Sequence, residues 1–354
     1  MRRVKVEFLK EGMKLARPIC NSEGRILLGE DVVLTPKYIE RLKEIGITEV
    51  FIEDEYSEGI EIKDVISHKT REEARVFVRN LFDNIKFNKK IDAGEVKRVV
   101  NNLIDELLYN KDILINLSDI KMADDYTFNH SVNVCIYSLV IGINLGYDQI
   151  KLRDLGVGTL LHDIGKTKIP AELLKKPARL TEEEYELVKK HTVYGYEILK
   201  NVDCISSVSA YIALCHHERF DGRGYPLGIS GQDIHRFARI SSVADVYDAL
   251  TSDRVYKEKI KPEQAVEYLV SMSNYQFDCE IVKVFLDCIA IYPIGTGVIL
   301  NTGEKGIVVD NNKNWPTRPV VRIVIDERGR RLSKFKEIDL SKDPKIFIES
   351  TCDL

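Results

Sequence analysis

Long apolar stretches are missing from this chain of 354 residues. None approaches the ~18 consecutive apolar residues that a membrane-spanning helix needs, and the first residues, Met1 to Glu7, lack the apolar core of a signal peptide. The seven cysteines are scattered without a CxxC pair, and their odd count and irregular spacing indicate reduced thiols. These absences predict a cytoplasmic protein without a membrane span.

A surplus of basic residues is also missing. Lysine and arginine number 52 against 56 acidic residues, and the formal net charge is −4. Because no general basic field exists, the chain is not expected to bind DNA or RNA. Any phosphate group must therefore be held by a few local side chains.

Four segments of different texture follow one another along the chain. Residues 1–66 mix short alternating runs with glycine turns and predict a small α+β domain. Residues 67–115 have helical spacing and predict a connector that begins a helical bundle, which fills 116–291. Residues 292–354 hold β-rich runs separated by hairpin turns and predict a small β module. The predicted fold class is mainly α.

Local signals predict several helix ends. Thr181 and the glutamate three residues later form a capping box, which predicts a helix that runs through His191. Asp92 and Asp278 are expected to cap two further helices, and Pro262 fits the first turn of another.

Histidine is concentrated in one part of the chain, since five of the seven lie between positions 130 and 217. A lone histidine is more often a core or surface residue than a metal ligand, but histidines on separate helical segments can converge inside a bundle. With two aspartates they form the candidate cluster His130, His162, Asp163, His191, His216, His217 and Asp245. His68 and His235 fall outside the pattern.

Four members of this cluster form two adjacent pairs, His162-Asp163 and His216-His217. Neighbours on a helix point about 100° apart, so one metal cannot easily take both. The pairs therefore predict two metals side by side, with a carboxylate able to bridge them. Histidine and carboxylate ligands without thiolates favour iron, manganese or another divalent ion over a structural zinc site. Two metals held ~4 Å apart suit the hydrolysis of phosphate esters.

Three cations are candidates for holding phosphate. Lys166 comes four residues after His162, which predicts a position on the same helical face. Arg254 and Lys257 follow Asp245 on what the pattern predicts to be a continuing helix. A single lysine or arginine is more often a solvated surface charge. A role in phosphate binding is favoured here only because these residues are placed near candidate ligands.

Three short blocks contain most of these residues. The first is HDIGK at 162–166, the second is HHERFDGRGYP at 216–226, and the third is ADVYDAL at 244–250, followed by Arg254. Together they resemble the HD-GYP family, a branch of the HD phosphohydrolases. The first block alone would be a weak signal, whereas the second is long and highly specific. The resemblance covers residues 115–260, approximately.

The resemblance implies a helical HD-type bundle that encloses two or three metal ions, with the whole candidate cluster as ligands. Asp163 would bridge the ions and take part in catalysis together with Lys166. Lys166, Arg254 and Lys257 would contact the phosphates of the substrate.

The implied reaction is hydrolysis of cyclic di-GMP to linear pGpG, with a second cut to GMP as an option. The loop 224–226, Gly-Tyr-Pro, would lie beside the active site. Its Tyr225 would contact the substrate, and the loop would contact diguanylate cyclase domains. A plain tight turn is an equally compatible interpretation, since glycine and proline make turns without a substrate.

Two positions depart from the family pattern. Members with a third metal carry a glutamate four residues before the first histidine, whereas this chain has Tyr126, preceded by Asp124 and Asp125. Two metals are therefore favoured over three. The common Arg-Pro-Tyr is replaced by residues 254–256, Arg-Val-Tyr, which changes local backbone stiffness.

Other functions stay open at this point. The chain could be a cyclic di-GMP receptor or signalling adaptor without significant turnover, or a phosphodiesterase for another cyclic dinucleotide such as cyclic GMP-AMP. The filled ligand positions argue against a degenerate receptor. A homodimer contact would be expected in the helical stretch 68–115, although that stretch lacks a sustained heptad.

Overall fold

The chain folds into two compact units, one of which combines Met1–Val65 with Ile289–Leu354, while the other combines Ile66–Lys111 with Tyr126–Cys288. The computed structural model describes residues 1–20, 25–87, 89–111, 114–115, 126–176, 178–252, 260–313 and 315–354, with only the backbone of Tyr126. The predicted mainly α fold class, with a small sheet near each end of the chain, is confirmed. The four segment boundaries predicted from texture stay a prediction.

The amino-terminal part of the first unit is a small α+β structure. Its elements are β1 (Arg2–Lys5), β2 (Lys14–Leu15), β3 (Ile19–Cys20), β4 (Ile26–Leu28), α1 (Pro36–Glu44) and β5 (Glu49–Glu53). An antiparallel sheet has the order β1-β5-β2, and β3 pairs with β4. Thr35 caps α1, and Gly46 ends it at a φ of 75°, a conformation that glycine adopts without steric cost. Leu15, Leu42 and Ile52 lie in its core.

The carboxy-terminal part of the first unit is a five-stranded antiparallel sheet with the order β10-β6-β7-β8-β9. Its strands are β6 (Gly297–Leu300), β7 (Lys305–Asp310), β8 (Val320–Ile325), β9 (Arg331–Asp339) and β10 (Ile348–Thr351). Alternate residues of β6 are buried, as the period of a strand requires. Arg322 on β8 donates to the carbonyl of Glu58 at 2.6 Å, so the two ends of the chain are linked within this unit.

The second unit is helical. Its helices are α2 (His68–Lys86), α3 (Ala93–Tyr109), α4 (Tyr126–Asn144), α5 (Gln149–Leu160), α6 (Ala171–Leu174), α7 (Glu182–Lys189), α8 (His191–Leu199), α9 (Ser207–Cys215), α10 (Arg236–Thr251), α11 (Pro262–Ser271) and α12 (Cys279–Leu286). Within the ranges given above, no helix combines the length and the apolar character needed to cross a bilayer.

The predicted helix ends are largely confirmed. Asp92 and Asp278 accept hydrogen bonds from the first amides of α3 and α12, and Pro262 opens α11. Thr181 forms the predicted capping box at the start of α7. The prediction of one helix through His191 is wrong, because α7 ends at Lys189 and α8 begins at His191.

The break between α7 and α8 has a local cause. His191 Nδ1 lies 2.7 Å from the carbonyl oxygen of Val188, and Thr192 Oγ1 donates to that of Lys189 at 2.9 Å. These side-chain donors occupy backbone acceptors that a continuing helix would use for its own amides. The His191 ring is buried in the bundle.

Candidate active site

The candidate ligands converge on one point of the helical unit. His130 lies in α4, Asp245 lies in α10, and His191 is the first residue of α8. The remaining ligands are the two adjacent pairs. All of the seven are buried except His217, which is half-buried. The structure therefore brings the whole predicted cluster together.

Both adjacent pairs lie in turns that directly follow a helix, and not within helices as the spacing argument assumed. His162-Asp163 follows the end of α5, and His216-His217 follows the end of α9. His216 still has helical backbone angles and its amide donates to the carbonyl of Ile212 at 3.0 Å, and the rings of His216 and His217 lie 4.1 Å apart between centroids, inclined by 44°. Both histidines offer ligand atoms within 4.8 Å of one another and of His191, so this geometry lets them face one ion.

Asp163 occupies the centre of the cluster. Its Oδ2 lies 3.4 Å from His162 Nε2 and 3.8 Å from His130 Nε2. Its Oδ1 lies 3.5 Å from His191 Nε2 and 3.9 Å from His216 Nε2. Each carboxylate oxygen thus faces a different set of imidazoles.

Two sets of three ligand atoms lie on either side of Asp163, and in each set the atoms are within 4.8 Å of one another. The first group is His130, His162 and Asp245, and the second group is His191, His216 and His217. His162 and His216 also form such a set with Asp163 itself, which connects the groups.

Backbone carbonyls orient three of the imidazoles. His162 Nδ1 lies 2.7 Å from the oxygen of Thr159, His191 Nδ1 bonds the carbonyl described above, and His216 Nδ1 lies 3.0 Å from the oxygen of Ala213. A carbonyl only accepts, so each Nδ1 carries the proton. Each Nε2 therefore points a bare lone pair into the cluster.

His130 is oriented differently, by a carboxylate that the sequence reasoning missed. Its Nδ1 lies 2.8 Å from Asp248 Oδ2, and its Nε2 lies 3.0 Å from Asp245 Oδ1. Asp248 is fully buried. The signal that could have found it is its spacing, three residues after Asp245 on one face of α10.

The residues fit a pair of cations. Among the described residues, His162 Nε2 and Asp163 Oδ1 are buried without a hydrogen-bond partner, and such orphaned groups are costly unless something binds them. His191 Nε2 and His216 Nε2 lie 3.3 Å apart with lone pairs toward each other, which a cation would stabilise. Imidazole and carboxylate ligands together suit divalent iron, manganese, nickel or zinc.

Burial keeps most of the imidazoles neutral. It lowers the pKa of His191 to about 4 and that of His217 to about 3, and it lowers the pKa of His216 well below the usual value. Neutral imidazole is the form that binds metal.

The first group carries more charge. Burial opposes protonation of His130, but hydrogen bonds to Asp245 and Asp248 outweigh it and raise its pKa to about 9. Burial also opposes ionisation of Asp163 and Asp245. The positive charge of Lys166 and the nearby imidazoles nevertheless lower the pKa of Asp163, and the hydrogen bond to His130 lowers that of Asp245.

Lys166 reaches the cluster by a route other than the one predicted. It lies in a short 3₁₀ turn, Ile164–Lys168, and not on an α-helical face above His162. Its Nζ donates to Asp163 Oδ2, and 27% of its side chain is exposed. The turn passes so close to α8 that a Cβ on Gly165 would lie 1.9 Å from the carbonyl oxygen of His191. Only glycine allows this approach.

The loop 224–226 lies directly against a candidate ligand. The ring of Tyr225 packs on that of His217, with centroids 4.9 Å apart and planes inclined by 33°. Glu218 anchors the loop because its Oε1 accepts from the amides of Leu227 at 2.6 Å and Gly228 at 3.1 Å.

Four residues named from the sequence lie outside the described residues, namely Asp124, Asp125, Arg254 and Lys257, as does the side chain of Tyr126. Their predicted roles therefore stay predictions. His235 lies outside the cluster, where its Nδ1 accepts from the amide of Phe237.

Comparison with known proteins identifies the helical part of the chain. A family model described as "HD domain" matches residues 114–281. These residues therefore form an HD domain. A second model, "KOW domain associated with HD domain", matches residues 297–354, which is the sheet β6–β10.

Curated relatives confirm the resemblance of this HD protein to the HD-GYP family. A cyclic di-GMP phosphodiesterase of Pseudomonas aeruginosa is 32% identical over 76% of this chain and 65% of its own length. A cyclic di-GMP phosphodiesterase of Borreliella burgdorferi is 29% identical over 79% of this chain and 75% of its own length. A 3'3'-cGAMP-specific phosphodiesterase of Vibrio cholerae is 32% identical over 53% of this chain and 36% of its own length. The chain thus spans about a third to three quarters of these relatives.

A solved structure confirms the fold of this HD protein. It is that of an HDG"Y"P protein from Bdellovibrio bacteriovorus, which matches with a TM-score of 0.51 and 18% identity over 80% of this chain and 97% of that chain.

Proposed function

We propose that this HD protein is a metal-dependent phosphodiesterase that hydrolyses cyclic di-GMP to linear pGpG. The observation that carries the proposal is the central position of Asp163, whose two oxygens face the first and the second ligand group. The names of the curated relatives favour cyclic di-GMP as the substrate. A second cut to GMP would follow if the linear product can enter the site again.

The first group, His130, His162 and Asp245, would hold one divalent ion, and the second group, His191, His216 and His217, would hold another, with Asp163 shared between them. Iron or manganese is the proposed pair, because no thiolate takes part. Two divalent ions held by these residues would lower the pKa of water and neutralise charge on a phosphate.

The chain itself contributes the orientation of the phosphodiester. Ring opening to pGpG adds water across one P–O3′ bond, so that the phosphorus gains a hydroxyl and O3′ gains the proton. Lys166 Nζ stands at Asp163 on the partly exposed side of the cluster, where it can contact a phosphate oxygen. Arg254 and Lys257 are proposed to hold the remaining phosphate charge, as the family resemblance implies. Tyr225 beside His217 is proposed to contact the nucleotide.

The loop 224–226 is also proposed to contact diguanylate cyclase domains. This proposal depends on the family resemblance and on the position of the loop at the edge of the cluster, where Tyr225 packs on His217.

Turnover measurements test the function. Protein purified without oxygen and supplied with manganese or iron should convert cyclic di-GMP to pGpG, and a variant with both His162→Ala and Asp163→Ala should not. His68→Ala is the matched control, since His68 is exposed and outside the cluster. Tight binding without product in the metal-loaded wild type would contradict the enzyme and favour a receptor.

Another cyclic dinucleotide is the second candidate substrate, and the 3'3'-cGAMP-specific relative favours it. Rates for cyclic di-GMP and 3'3'-cGAMP at equal, subsaturating concentration compare kcat/KM directly. A larger value for 3'3'-cGAMP would replace cyclic di-GMP as the proposed substrate and leave the phosphodiesterase chemistry unchanged.

A further inference from the structure

A chain of hydrogen bonds runs from the first ligand group to helix α2. Arg71 Nη1 donates to Asn133 Oδ1 at 2.8 Å, and Asn133 Nδ2 donates to Asp248 Oδ1 at 2.7 Å. Asp248 Oδ2 then accepts from His130 Nδ1 at 2.8 Å. The four residues lie on three helices, α2, α4 and α10.

Asp248 depends on these hydrogen bonds because it is fully buried. A buried carboxylate is costly unless donors satisfy it. Its Oδ1 receives two side-chain hydrogen bonds, from Asn133 and from Ser252 Oγ at 3.2 Å. Asn133, itself 3% exposed, is in turn held by the guanidinium of Arg71.

This arrangement distinguishes the two ligand groups. His191 and His216, in the second group, are oriented by backbone carbonyls that belong to the helix ends. His130 is oriented by a side-chain carboxylate, which both fixes the ring and raises its basicity as a ligand. Among the ligands that the structure describes, His130 is the one whose Nδ1 bonds a carboxylate outside the cluster, whereas His217 Nδ1 lies 3.7 Å from Asp245 Oδ2 within it.

We propose that Asn133 and Arg71 are positioning residues for the metal ion of the first ligand group, through Asp248 and His130. The proposal rests on the two-metal part of the proposed function. The second ligand group, which the network does not reach through any of the bonds described above, should keep its affinity when the network is cut.

Metal titration of Asn133→Leu, which removes both polar atoms at similar volume, tests this. Of the two Mn²⁺ dissociation constants, one should rise, by at most the ~10–100-fold that loss of a direct partner of a metal ligand costs, and the other should stay unchanged. His191→Ala should weaken metal binding by the second group, so that the first group holds the remaining ion. Adding Asn133→Leu to that variant should lower the affinity for this remaining ion.

Asn144→Ala is the matched control, because Asn144 lies exposed on the same helix and bonds only the carbonyl of Val140 in the contacts described. It should bind two ions as the wild type does. If Asn133→Leu does not fold, as judged by circular dichroism, Arg71→Met cuts the network at its half-buried outer end. Arg71→Met should lower the affinity for the same ion by a smaller factor.

The outcomes separate this inference from the proposed function, because binding is measured without turnover. The wild type could bind two ions and the folded Asn133→Leu variant could bind them with the same dissociation constants. This result would overturn the positioning role alone. Equal weakening of both ions would overturn it as well, since a general structural defect would act on both groups. A wild type that binds fewer than two ions would overturn both proposals.

Discussion

At the residue scale, Asp163 joins two ligand groups that would otherwise be separate. Its carboxylate lies within 4 Å of four imidazole nitrogens and accepts from Lys166 Nζ. The low pKa that its surroundings impose keeps the group ionised, although burial alone would favour the neutral acid. One negative charge thus serves both groups.

Asp163→Asn tests this shared role. The amide keeps the shape of the side chain but loses the charge. The affinity for both metal ions should therefore fall by more than the ~10–100-fold that is typical when an outer partner of a ligand is lost. Turnover should fall by at least as large a factor. Elemental analysis after dialysis measures the metal content, and His68→Ala serves as control. Loss of one ion with full retention of the other would argue against a bridging carboxylate.

A second prediction at this scale concerns pH. In the metal-free protein the pKa of His130 is raised to about 9, so below that pH the ring must lose a proton before it binds metal. His191 and His217, with pKa values of about 4 and about 3, are already neutral above pH 6 and do not compete. The affinity of the first ligand group for its metal ion should therefore rise about tenfold per pH unit between pH 6 and 9.

Calorimetric titration with Mn²⁺ in this pH range, in buffers of different ionisation enthalpy, counts the protons released. Release of close to one proton for the first ion at pH 7 agrees with the raised pKa of His130. Affinity that is independent of pH would contradict it.

At the element scale, turns and helix ends build the site. His191 is the first residue of α8, and the turns after α5 and α9 supply the two adjacent pairs. Carbonyls near the helix ends orient three imidazoles, since those of Thr159, Val188 and Ala213 lie against Nδ1 of His162, His191 and His216. The loop after His217 is held in turn by the buried carboxylate of Glu218.

Glu218→Ala should release this loop. Two backbone amides lose their acceptor, so Tyr225 should no longer be held against His217, and kcat/KM for the cyclic dinucleotide should fall about 10-fold or more. Glu218→Gln keeps an oxygen acceptor and should retain most of the activity. Comparing both variants at equal metal content separates the loop from the ligands. Equal losses in both variants would refute an anchoring role for the acceptor oxygen.

At the scale of the whole molecule, the candidate ligands all belong to the helical unit, and the sheets belong to the other unit. A ligand that binds only the folded state stabilises it by about 2.7 kcal/mol at a free concentration of 100 times its Kd. Metal should therefore stabilise the helical unit selectively.

Calorimetric melting with and without a chelator tests this. Removal of metal should lower the Tm of the helical unit by about 5–10 °C, given ~2–4 °C per kcal/mol for a unit of this size. The transition of the sheet-containing unit should not move. Equal shifts of both transitions, or none, would contradict a metal centre confined to the helical unit.

The sequence by itself determined which side chains can bind metal and which local signals start the helices. The cluster of five histidines and two aspartates, the capping box at Thr181 and the block 216–226 could all be identified without coordinates. These features are local or chemical, so residue type and spacing are enough to find them.

Only the tertiary structure decided how the ligands are shared. Spacing along a presumed helix placed Lys166 above His162, whereas Lys166 lies in a 3₁₀ turn. The tertiary structure also puts ligand atoms of His216 and His217 within 4.8 Å of His191. Asp248 and Asn133 gained their roles because α4 packs on α10, which no local pattern reveals. Contacts between residues more than a hundred positions apart depend on how helices pack, and packing is set by the whole chain.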